Sequence, residues 1–253
     1  MTTPPRILTI AGSDSSGGAG IQADIKTITM LGGYAMTAIT AITAQNTLGV
    51  SMVEVLSSEL VRAQIEACAE DIGVNAVKIG MLGSATNAHA VADLLEGVNA
   101  PVVFDPVMIA TSGAALADAE TIAAFERLMA IATLTTPNVA ELAALGGDEG
   151  MAARAITYLA KGGDADGDMV EDRLMVPGEE PMIGRAPRLV TQHTHGTGCT
   201  LASAIATYLG MGQPLVEAVD NARAFVRAAI EAAPGFGSGN GPLGHHAVSQ
   251  SSA

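Results

Sequence analysis

The amino-acid sequence predicts an α/β protein with a central, mostly parallel sheet and helices on both faces. The first observation is that short aliphatic runs alternate with helical patterns along most of the 253 residues. The second is that the loops after the predicted strands are glycine-rich or polar, as in "GSDSSGGAG", "DPVM" and "TPN". Such alternation is typical of a parallel sheet covered on both sides, where ligands bind beyond the carboxyl ends of the strands.

Aliphatic and β-branched runs mark the strands, and amphipathic patterns mark the helices. Strands are predicted, in order, at "RILTIAG", "YAMTAITAITAQN", "VSMVEVLS", "AVKIGML", "APVVFDPVM" and "TLTTPN". Helices are predicted at "IQADIKTITMLG", "SSELVRAQIEACAEDIG", "TNAHAVADLLEG", "ADAETIAAFERLMAIA", "VAELAALGG", "TGCTLASAIATYLGMG" and "PLVEAVDNARAFVRAAIEAA". Gly32 and Gly33 close the first helix, Ser57 or Ser58 caps the second, and Pro214 fits the first turn of the last.

One domain over residues 1–253 is predicted, because the sequence shows neither an internal repeat nor a linker. The segment from about residue 235 to 253 is rich in Gly and Ser and is expected to form a flexible, fraying tail. Aromatic residues make up only 3% of the chain. We therefore expect a core of small-residue helices packed closely on aliphatic strands.

Charge and cysteine usage narrow the partners and the compartment. Twelve Lys and Arg oppose 26 Asp and Glu, a net charge of -14, which argues against a nucleic-acid partner because such binding needs cationic patches. Cys68 and Cys199 are too few for a disulfide framework. The chain has no apolar run of transmembrane length and no basic signal-peptide region. We expect a reduced, cytoplasmic protein without a membrane partner.

The stretch "HTHGTGCT" directly precedes a helical pattern. Its glycines would let backbone N–H groups at the positive end of a helix approach an anion, such as a transferring phosphoryl group or an acyl oxyanion. Cys199 in the first turn should have a lowered pKa. It could be a nucleophile with His193 or His195 as base, a group that aligns and deprotonates a substrate hydroxyl, or a small residue filling a tight helix start.

Two further loops contain candidate binding residues. "GSDSSGGAGIQADIK" matches neither the Walker phosphate loop nor the dinucleotide fingerprint, so it suits a close fit around a small polar molecule, or is a simple turn capped by Asp14. Asp105 ends a predicted strand, and Asn138 and Glu141 flank a strand-to-helix junction. Their oxygens suit Mg²⁺, directly or through water. Taken alone, however, Asn138 and Glu141 are better explained as a capping box.

Several motifs together carry a family resemblance. "AGSDSSGGAGIQADIK", "TAITAQNT", "KIGML", "DPVM…SG", "TPNVAE", "KGG" and "HTHGTGCTLASA" occur in this order. With them the chain resembles the ribokinase-like superfamily and is most similar to the hydroxymethylpyrimidine/phosphomethylpyrimidine kinases of thiamine biosynthesis. The likeness runs from about Arg6 to Ala233.

The resemblance implies a three-layer α/β/α fold, Mg²⁺ dependence and a homodimer. It implies two ATP-dependent phosphorylations, of 4-amino-5-hydroxymethyl-2-methylpyrimidine and then of its monophosphate. Cys199 would be the base or hydroxyl-orienting group, and Gly196, Thr197 and Gly198 with the Cys199 N–H would form the anion hole. The ATP phosphates and Mg²⁺ would be ordered, mainly through water, by Asp105, Asn138 and Glu141.

The resemblance also assigns the pyrimidine site. Gln45 would hydrogen-bond the ring nitrogen and the amino group, since an amide supplies both a donor and an acceptor. The remaining surface would be lined by Gly12, Ala19, Met81 and Val107. Asp24 would be either polar support or a charge on a helix face.

One segment departs from the family pattern. Relatives place a full helix and then a strand before "KGG", but "EGMAARAITYLAKGG" is too short for both at full length. Either the helix is clipped or "AITYLA" serves as the strand, which makes Lys161 a doubtful nucleotide contact. The following "GGDADGDMVED" lacks EF-hand spacing and is expected to be a solvated acidic turn.

Three other functions remain open from the sequence. A pyridoxal or pyridoxine kinase would act on a similar hydroxymethyl-bearing ring, although relatives devoted to that vitamin usually carry aspartate at the position of Cys199. A cysteine-dependent acyl transferase or hydrolase would use Cys199 with His195 and would not need ATP. A non-catalytic protein would bind the pyrimidine without releasing ADP.

Overall fold

A computed structural model describes residues 3–109, 113 and 115–248. The strands are β1 (Arg6–Asp14), β2 (Tyr34–Asn46), β3 (Gly49–Val55), β4 (Ala76–Ile79), β5 (Val102–Phe104), β6 (Leu134–Thr135), β7 (Tyr158–Ala160), β8 (Met169–Met175) and β9 (Met182–Pro187). The helices are α1 (Gly20–Met30), α2 (Ser58–Asp71), α3 (Ala85–Leu95), α4 (Ala119–Ile131), α5 (Val139–Ala144), α6 (Gly147–Ala153), α7 (Thr197–Gly210) and α8 (Leu215–Glu231), with a 3₁₀ turn at His245–Ala247.

All of these strands form one sheet in the order β3-β2-β1-β4-β5-β6-β7-β8-β9. The central strands, from β2 to β7 in that order, are parallel, and β3, β8 and β9 are antiparallel at the two edges. This confirms the predicted mostly parallel sheet. Every parallel strand ends at the same edge, so the loops after β1, β2, β4, β5, β6 and β7 meet there.

The sheet separates two apolar layers. On one face, residues such as Leu8, Val77 and Phe104 pack against α2, α3 and α4. On the other face, their sequence neighbours, such as Ile7 and Val103, pack against α1, α7 and α8. Consecutive strand residues point to opposite faces, so a run that is apolar throughout fills both layers. The predicted three-layer α/β/α architecture is confirmed.

Short polar side chains start several helices as the sequence indicates. The Ser57 hydroxyl accepts a hydrogen bond from the Leu60 N–H, which identifies Ser57 rather than Ser58 as the cap of α2. Ser84 and Asp118 cap α3 and α4 in the same way. Pro214 lies at the N-cap of α8, one position before the first turn where it was expected.

The short segment before Lys161 contains both elements that were posed as alternatives. The helix is clipped to Gly147–Ala153, and the strand follows at Tyr158–Ala160. Ala155 turns the chain between them with a φ of 53°. The predicted acidic turn is confirmed only in part: Asp164 and Asp166 are exposed, but residues 169–172 belong to β8. Asp172 is buried and lies 2.8 Å from the Arg223 guanidinium, because pairing with β7 turns its side chain toward α8 rather than toward solvent.

The end of the described chain differs from the predicted fraying tail. Leu243 and His245 are buried, and the Gly244 N–H donates to the carbonyl of Ala229 on α8 at 2.8 Å. The His195 N–H donates to the Gly241 carbonyl at 3.1 Å. Residues 239–245 therefore pack on the domain, because their glycines allow the backbone to approach closely, whereas residues 235–238 are exposed. Residues 249–253 lie outside the described residues.

Every helix within the described ranges is too short or too polar to cross a membrane.

Candidate active site

The start of α7 lies against two other loops. Gly196, at the N-cap, has a φ of +88°, and a Cβ there would collide with the Gly18 carbonyl oxygen. A Cβ on Gly198 would lie 3.3 Å from Lys161 Nζ and 3.4 Å from Asp105 Oδ2. Only glycine permits this conformation and this approach at low cost. The GTG turn therefore joins the loop after β1 to the residues that follow β5 and β7.

The first-turn amides of α7 are not equivalent. The Thr197 N–H donates to the Thr194 carbonyl at 3.2 Å, so it already has a partner within the turn. The next amides belong to Gly198 and Cys199, and first-turn N–H groups of a helix need acceptors from outside the helix. These two amides are best suited to an incoming anion, whereas Thr197 is the weakest member of the predicted anion hole.

Cys199 is partly buried, and its sulfur is approached by the Gly20 N–H. The expectation of a lowered pKa is wrong: burial raises the pKa of the thiol to about 11, the Lys78 ammonium opposes this, and the Asp24 and Asp105 carboxylates add to it. Desolvation and two nearby carboxylates thus outweigh the helix start. At neutral pH the group is a thiol, suited to orienting a hydroxyl rather than to attacking as a thiolate.

A second cluster forms beside Gly198. Lys161 Nζ lies 2.7 Å from Asp105 Oδ1 and 3.8 Å from Glu141 Oε2, and the Thr136 hydroxyl donates to Asp105 Oδ1 at 3.1 Å. Burial raises the pKa of Glu141 to about 6, Asp105 adds to this, and Lys161 opposes it. Burial disfavours the charged form of Lys161, but the two carboxylates outweigh it and hold its pKa above the usual range.

The placement of Lys161 shows how the short preceding segment is accommodated. β7 ends at Ala160, and the Lys161 N–H donates to the Pro137 carbonyl at 2.9 Å. The shortened helix is therefore absorbed before the strand, and Lys161 still reaches the crevice. A contact between Lys161 and a nucleotide stays a prediction.

Asn138 and Glu141 form a complete capping box at α5. The Asn138 side chain accepts from the Glu141 N–H, and the Glu141 carboxylate accepts from the Asn138 N–H, each at 2.8 Å. The same Glu141 oxygen is the one that faces Lys161. The capping interpretation is correct, and it also points this carboxylate into the cluster.

The Asp105–Lys161–Glu141 cluster has the net charge that a Mg²⁺ site requires. Its two carboxylates exceed its one ammonium, so it retains a negative charge that suits a cation. In the part of the chain that the structure describes, however, no three His, Cys, Asp or Glu side chains converge as a metal site. Mg²⁺ usually keeps several waters and takes few protein ligands. The residues therefore fit an ion held largely through water and substrate phosphates.

The predicted pyrimidine residues lie at or just beyond the carboxyl ends of β1, β2, β4 and β5. Gly12 sits where the β1–β2 register shifts, and a Cβ on it would be 3.1 Å from the Met81 sulfur. The Ala19 N–H donates to Asp14 Oδ2 at 2.8 Å. The Val107 N–H donates to the Asp105 carbonyl at 2.8 Å, which places Val107 beside the second cluster.

Gln45 ends β2 and lies beside the β1 loop. Its backbone N–H and carbonyl both hydrogen-bond the Ser15 hydroxyl, at 2.9 and 2.8 Å. It also lines an open groove of about 470 Å³ along the β2–β3 turn. Gln45 is thus held against the loop that the resemblance assigns to the pyrimidine.

Asp14 organises the β1–α1 loop instead of capping the helix. Its carboxylate accepts from the N–H groups of Ser16, Gly18 and Ala19 and contacts His195 Nε2 at 2.8 Å. Burial raises its pKa, but the hydrogen bonds from His195, Ser16 and Ala19 outweigh burial and lower it to about 2. A permanent carboxylate therefore ties the HGTG turn to the first glycine-rich loop.

Asp24 belongs to a fully buried polar network. The Lys78 ammonium lies 2.9 and 3.0 Å from its two oxygens, the Ser203 hydroxyl donates to Oδ1 at 2.7 Å, and the Thr9 hydroxyl donates to Oδ2. Asp24 is therefore polar support, one of the two alternatives considered, and not a charge on a helix face. Ser203 is one turn beyond Cys199, so the network lies beneath the thiol.

Three polar contacts near the crevice were not predicted from the sequence. Lys78 pairs with Asp24, Thr43 lies beside the Gln45 amide, and His195 contacts Asp14. A lysine within the apolar run "AVKIG" could have been noticed, because a lysine on a buried strand requires a buried partner. No sequence signal pairs His195 with Asp14, which lies 181 positions away. Ser112 of the "DPVM…SG" motif lies outside the described residues.

The fold and the crevice define the class of protein as a ribokinase-like kinase. The chain superposes on a Bacillus subtilis pyridoxal kinase, solved as an ADP complex, with a TM-score of 0.87 and 32% identity, covering 97% of this chain and 98% of that one. It superposes on a phosphomethylpyrimidine kinase from Clostridium difficile with a TM-score of 0.75 and 38% identity, covering 89% of this chain and 99% of that one. The predicted fold class is confirmed.

Sequence comparison gives the family. The family model described as phosphomethylpyrimidine kinase matches residues 14–244. A Streptomyces coelicolor relative named hydroxymethylpyrimidine/phosphomethylpyrimidine kinase is 47% identical over 257 aligned positions, covering 96% of this chain and 95% of the relative. The chain belongs to the phosphomethylpyrimidine kinase family, and the resemblance seen in the sequence motifs is confirmed.

Proposed function

We propose that this protein transfers the γ-phosphoryl group of ATP to 4-amino-5-hydroxymethyl-2-methylpyrimidine and then to its monophosphate, in thiamine biosynthesis. One observation carries the proposal: the α7 start meets the Asp105–Lys161–Glu141 cluster at Gly198. A helix start and an ammonium then face the same point, which is what a migrating phosphoryl group requires. Family membership supplies the substrate class.

The two sides of the crevice would hold the two substrates. The ATP phosphates would lie between the α7 start and Lys161, with Mg²⁺ ordered through water near Asp105, Glu141 and Asn138. The pyrimidine would lie on the other side, against Gln45, Gly12, Ala19, Met81 and Val107. The pyridoxal kinase similar to this chain was solved as an ADP complex, which supports ATP as co-substrate.

Cys199 would act on the attacking hydroxymethyl group. Because its pKa is raised to about 11, it is present as a thiol and would align the hydroxyl oxygen with the phosphoryl group. The N–H groups of Gly198 and Cys199 would stabilise charge on the migrating phosphoryl oxygens, with a smaller contribution from Gly196 and Thr197. Bound Mg²⁺ would neutralise phosphate charge. Catalysis would thus consist mainly of positioning and charge stabilisation.

Pyridoxal phosphorylation is the second candidate, because a pyridoxal kinase shares this fold at 32% identity. The Streptomyces relative named for the pyrimidine is more similar at 47%, which favours the pyrimidine. Cysteine-dependent acyl transfer is disfavoured, since it needs a thiolate and the Cys199 pKa is raised. A non-catalytic binding role leaves the Lys161 cluster without a use.

A coupled ADP-release assay tests the proposal. We expect turnover with the pyrimidine alcohol and, separately, with its monophosphate, and much less with pyridoxal. Cys199→Ala should depress turnover and leave pyrimidine binding in calorimetry nearly intact, with Cys68→Ala as the matched control for loss of a thiol. A preference for pyridoxal, or full activity in Cys199→Ala, would contradict the substrate or the role of the thiol, respectively.

A homodimer in the cytoplasm completes the proposal. Near the β3 edge, Met52 on β3, Leu48 in the β2–β3 turn and Ile42 on the neighbouring β2 are 69%, 68% and 51% exposed. Apolar side chains on an open edge strand are a liability that pairing with a second copy removes. Met52→Glu should lower the mass measured by light scattering to that of a monomer. The free thiols of Cys68 and Cys199 fit a reducing compartment.

A further inference from the structure

The side-chain amide of Gln45 lies between two polar side chains. Its Nε2 is 3.4 Å from His195 Nε2, and its Oε1 is 3.2 Å from Thr43 Oγ1. Rotating the amide by 180° exchanges oxygen and nitrogen without changing its shape. The positions of the protons on His195 and Thr43 therefore decide which end of the amide faces which neighbour.

Thr43 presents a lone pair to Gln45. A threonine hydroxyl has one proton, and the Thr43 hydroxyl lies closer to the Ser13 carbonyl, at 2.9 Å, than to the amide. A carbonyl oxygen can only accept, so the proton goes to Ser13. The hydroxyl oxygen is then an acceptor toward Gln45, and an amide NH₂ suits it better than an amide oxygen.

His195 offers Gln45 no lone pair at Nε2. Its Nε2 is 2.8 Å from Asp14 Oδ2, and the Asp14 carboxylate already accepts from three backbone N–H groups. The lowered pKa of Asp14, about 2, agrees with an ionised carboxylate, so the proton of this contact resides on the imidazole. An Nε2–H can be shared with an amide oxygen, but it cannot accept from an amide nitrogen.

We propose that His195 and Thr43 hold the Gln45 amide rotated by 180° from the placement given above, with its oxygen toward His195 and its nitrogen toward Thr43. These two residues thereby determine which heterocycle the site accepts. This inference rests on the proposed function, which places the pyrimidine against Gln45.

The surroundings make the imidazole a fixed reference. His195 is 4% exposed, and its backbone N–H donates to the Gly241 carbonyl. A Cβ on Gly18 would collide with the ring, so the β1 loop packs directly on it. Thr43 is also 4% exposed. Both side chains are therefore held in place beside the amide, and their hydrogen-bonding groups keep fixed positions relative to it.

A fixed amide offers one donor and one acceptor in a set order. The edge of a 4-aminopyrimidine presents an amino donor beside a ring-nitrogen acceptor, whereas the 4-oxo analogue presents a carbonyl acceptor beside an N–H donor. A fixed amide matches the first and leaves buried groups unpaired with the second. An amide free to rotate would match both, so discrimination depends on the residues that fix it.

The experiment measures the ratio of kcat/KM for the 4-amino pyrimidine alcohol to that for its 4-oxo analogue. We expect Thr43→Val and His195→Leu to lower this ratio at least about tenfold, by raising activity on the analogue relative to the alcohol. Thr43→Ser and His195→Gln keep the hydroxyl and an N–H donor, respectively, and should retain most of the ratio. Thr207→Val removes another buried hydroxyl, on α7, and should leave the ratio unchanged.

The outcomes separate this inference from the proposed function. A wild-type protein without turnover of the pyrimidine would overturn both. Wild-type turnover with an unchanged ratio in both Thr43→Val and His195→Leu would overturn the inference alone. If His195→Leu does not fold, Thr43→Val decides, because it conserves shape and leaves the Asp14–His195 contact in place. A ratio lowered equally by Thr207→Val would also contradict the assignment.

Discussion

Two buried lysine–carboxylate groups stand out among the described residues, and they differ in how completely their charges are paired. Lys78 and Asp24 have side chains with no exposed surface, and hydroxyls from two further elements complete the Asp24 oxygens. Lys161 is 13% exposed and faces two carboxylates, one of them 3.8 Å away. The first group is closed and balanced in charge, whereas the second is open and keeps excess negative charge. Incomplete pairing at the crevice marks the group that is available to ligands.

The largest expected effect comes from breaking the closed pair. Lys78→Met leaves the Asp24 carboxylate buried without its ammonium, and removing one partner of a buried pair costs about 3–5 kcal/mol of unfolding free energy. Urea denaturation measures the loss. Lys78→Met combined with Asp24→Asn removes both charges and keeps an amide for Thr9 and Ser203, so it should recover part of the stability. A double variant no more stable than the single one would contradict the ion-pair interpretation.

Breaking the open group should affect catalysis more than stability. Lys161→Met removes a positive charge from the proposed phosphoryl path, and kcat/KM for ATP should fall about 10²–10³-fold. Its unfolding free energy should change less than that of Lys78→Met, because water and cations reach the carboxylates from the crevice. ADP release and urea denaturation on the same samples give both numbers. Equal losses of unfolding free energy and of ATP turnover in Lys161→Met and Lys78→Met would contradict the distinction between the open and the closed group.

A buried histidine that contacts α7 extends the comparison to the pH dependence of stability. His245 is 2% exposed and contacts the Thr200 hydroxyl at 2.8 Å, and burial, with nearby Lys26, lowers its pKa from 6.5 to about 4. The unfolded chain therefore binds the proton more tightly, so this stabilisation is present above about pH 6.5 and is lost as pH falls toward 4. Through this one residue, the unfolding free energy should fall by about 2–3 kcal/mol.

The unfolding free energy measured from pH 7 to pH 4 tests this expectation. His245→Gln, which cannot titrate, should flatten the dependence, and His89→Gln on the exposed face of α3 controls for the loss of a histidine. An equal slope in wild type and His245→Gln would assign the acid sensitivity to other groups.

The smallest effect is expected at an exposed pair. Arg185 contacts Glu171 at 2.8 Å across the β8–β9 hairpin, with its side chain 61% exposed. Arg185→Met should change the unfolding free energy by less than about 1 kcal/mol, because water and salt screen such pairs. It also serves as the charge-removal control for Lys161→Met. A loss comparable to that of Lys78→Met would mean that burial does not explain the ranking.

The fold was predictable because its signals are local and repeated. Aliphatic runs such as β1 and β4 fill both apolar layers, and Ser57 caps α2 where the sequence places a cap. The clipped α6 was one of two alternatives from the sequence, and the β8–β9 hairpin was not predicted. Their lengths depend on packing at the sheet edge, which periodicity does not report.

The site was predictable only in part. The motifs place Gly198, Asp105 and Glu141 in loops that the parallel sheet brings to one edge, and the structure does bring them together. The thiol pKa was predicted in the wrong direction, because burial and the carboxylates of Asp24 and Asp105 come from distant parts of the chain. The contact of His195 with Asp14 was missed for the same reason.

The segment that follows α8 has a practical consequence for engineering the chain. The Gly241 carbonyl accepts from the backbone N–H of His195, and the Gly244 N–H donates to the Ala229 carbonyl. Cutting the gene after Ala233 would therefore remove the backbone support of the residue whose imidazole anchors the first glycine loop. Such a shortened version removes residues that look dispensable from their Gly- and Ser-rich composition. It should instead produce a protein whose two substrate loops no longer share a common anchor.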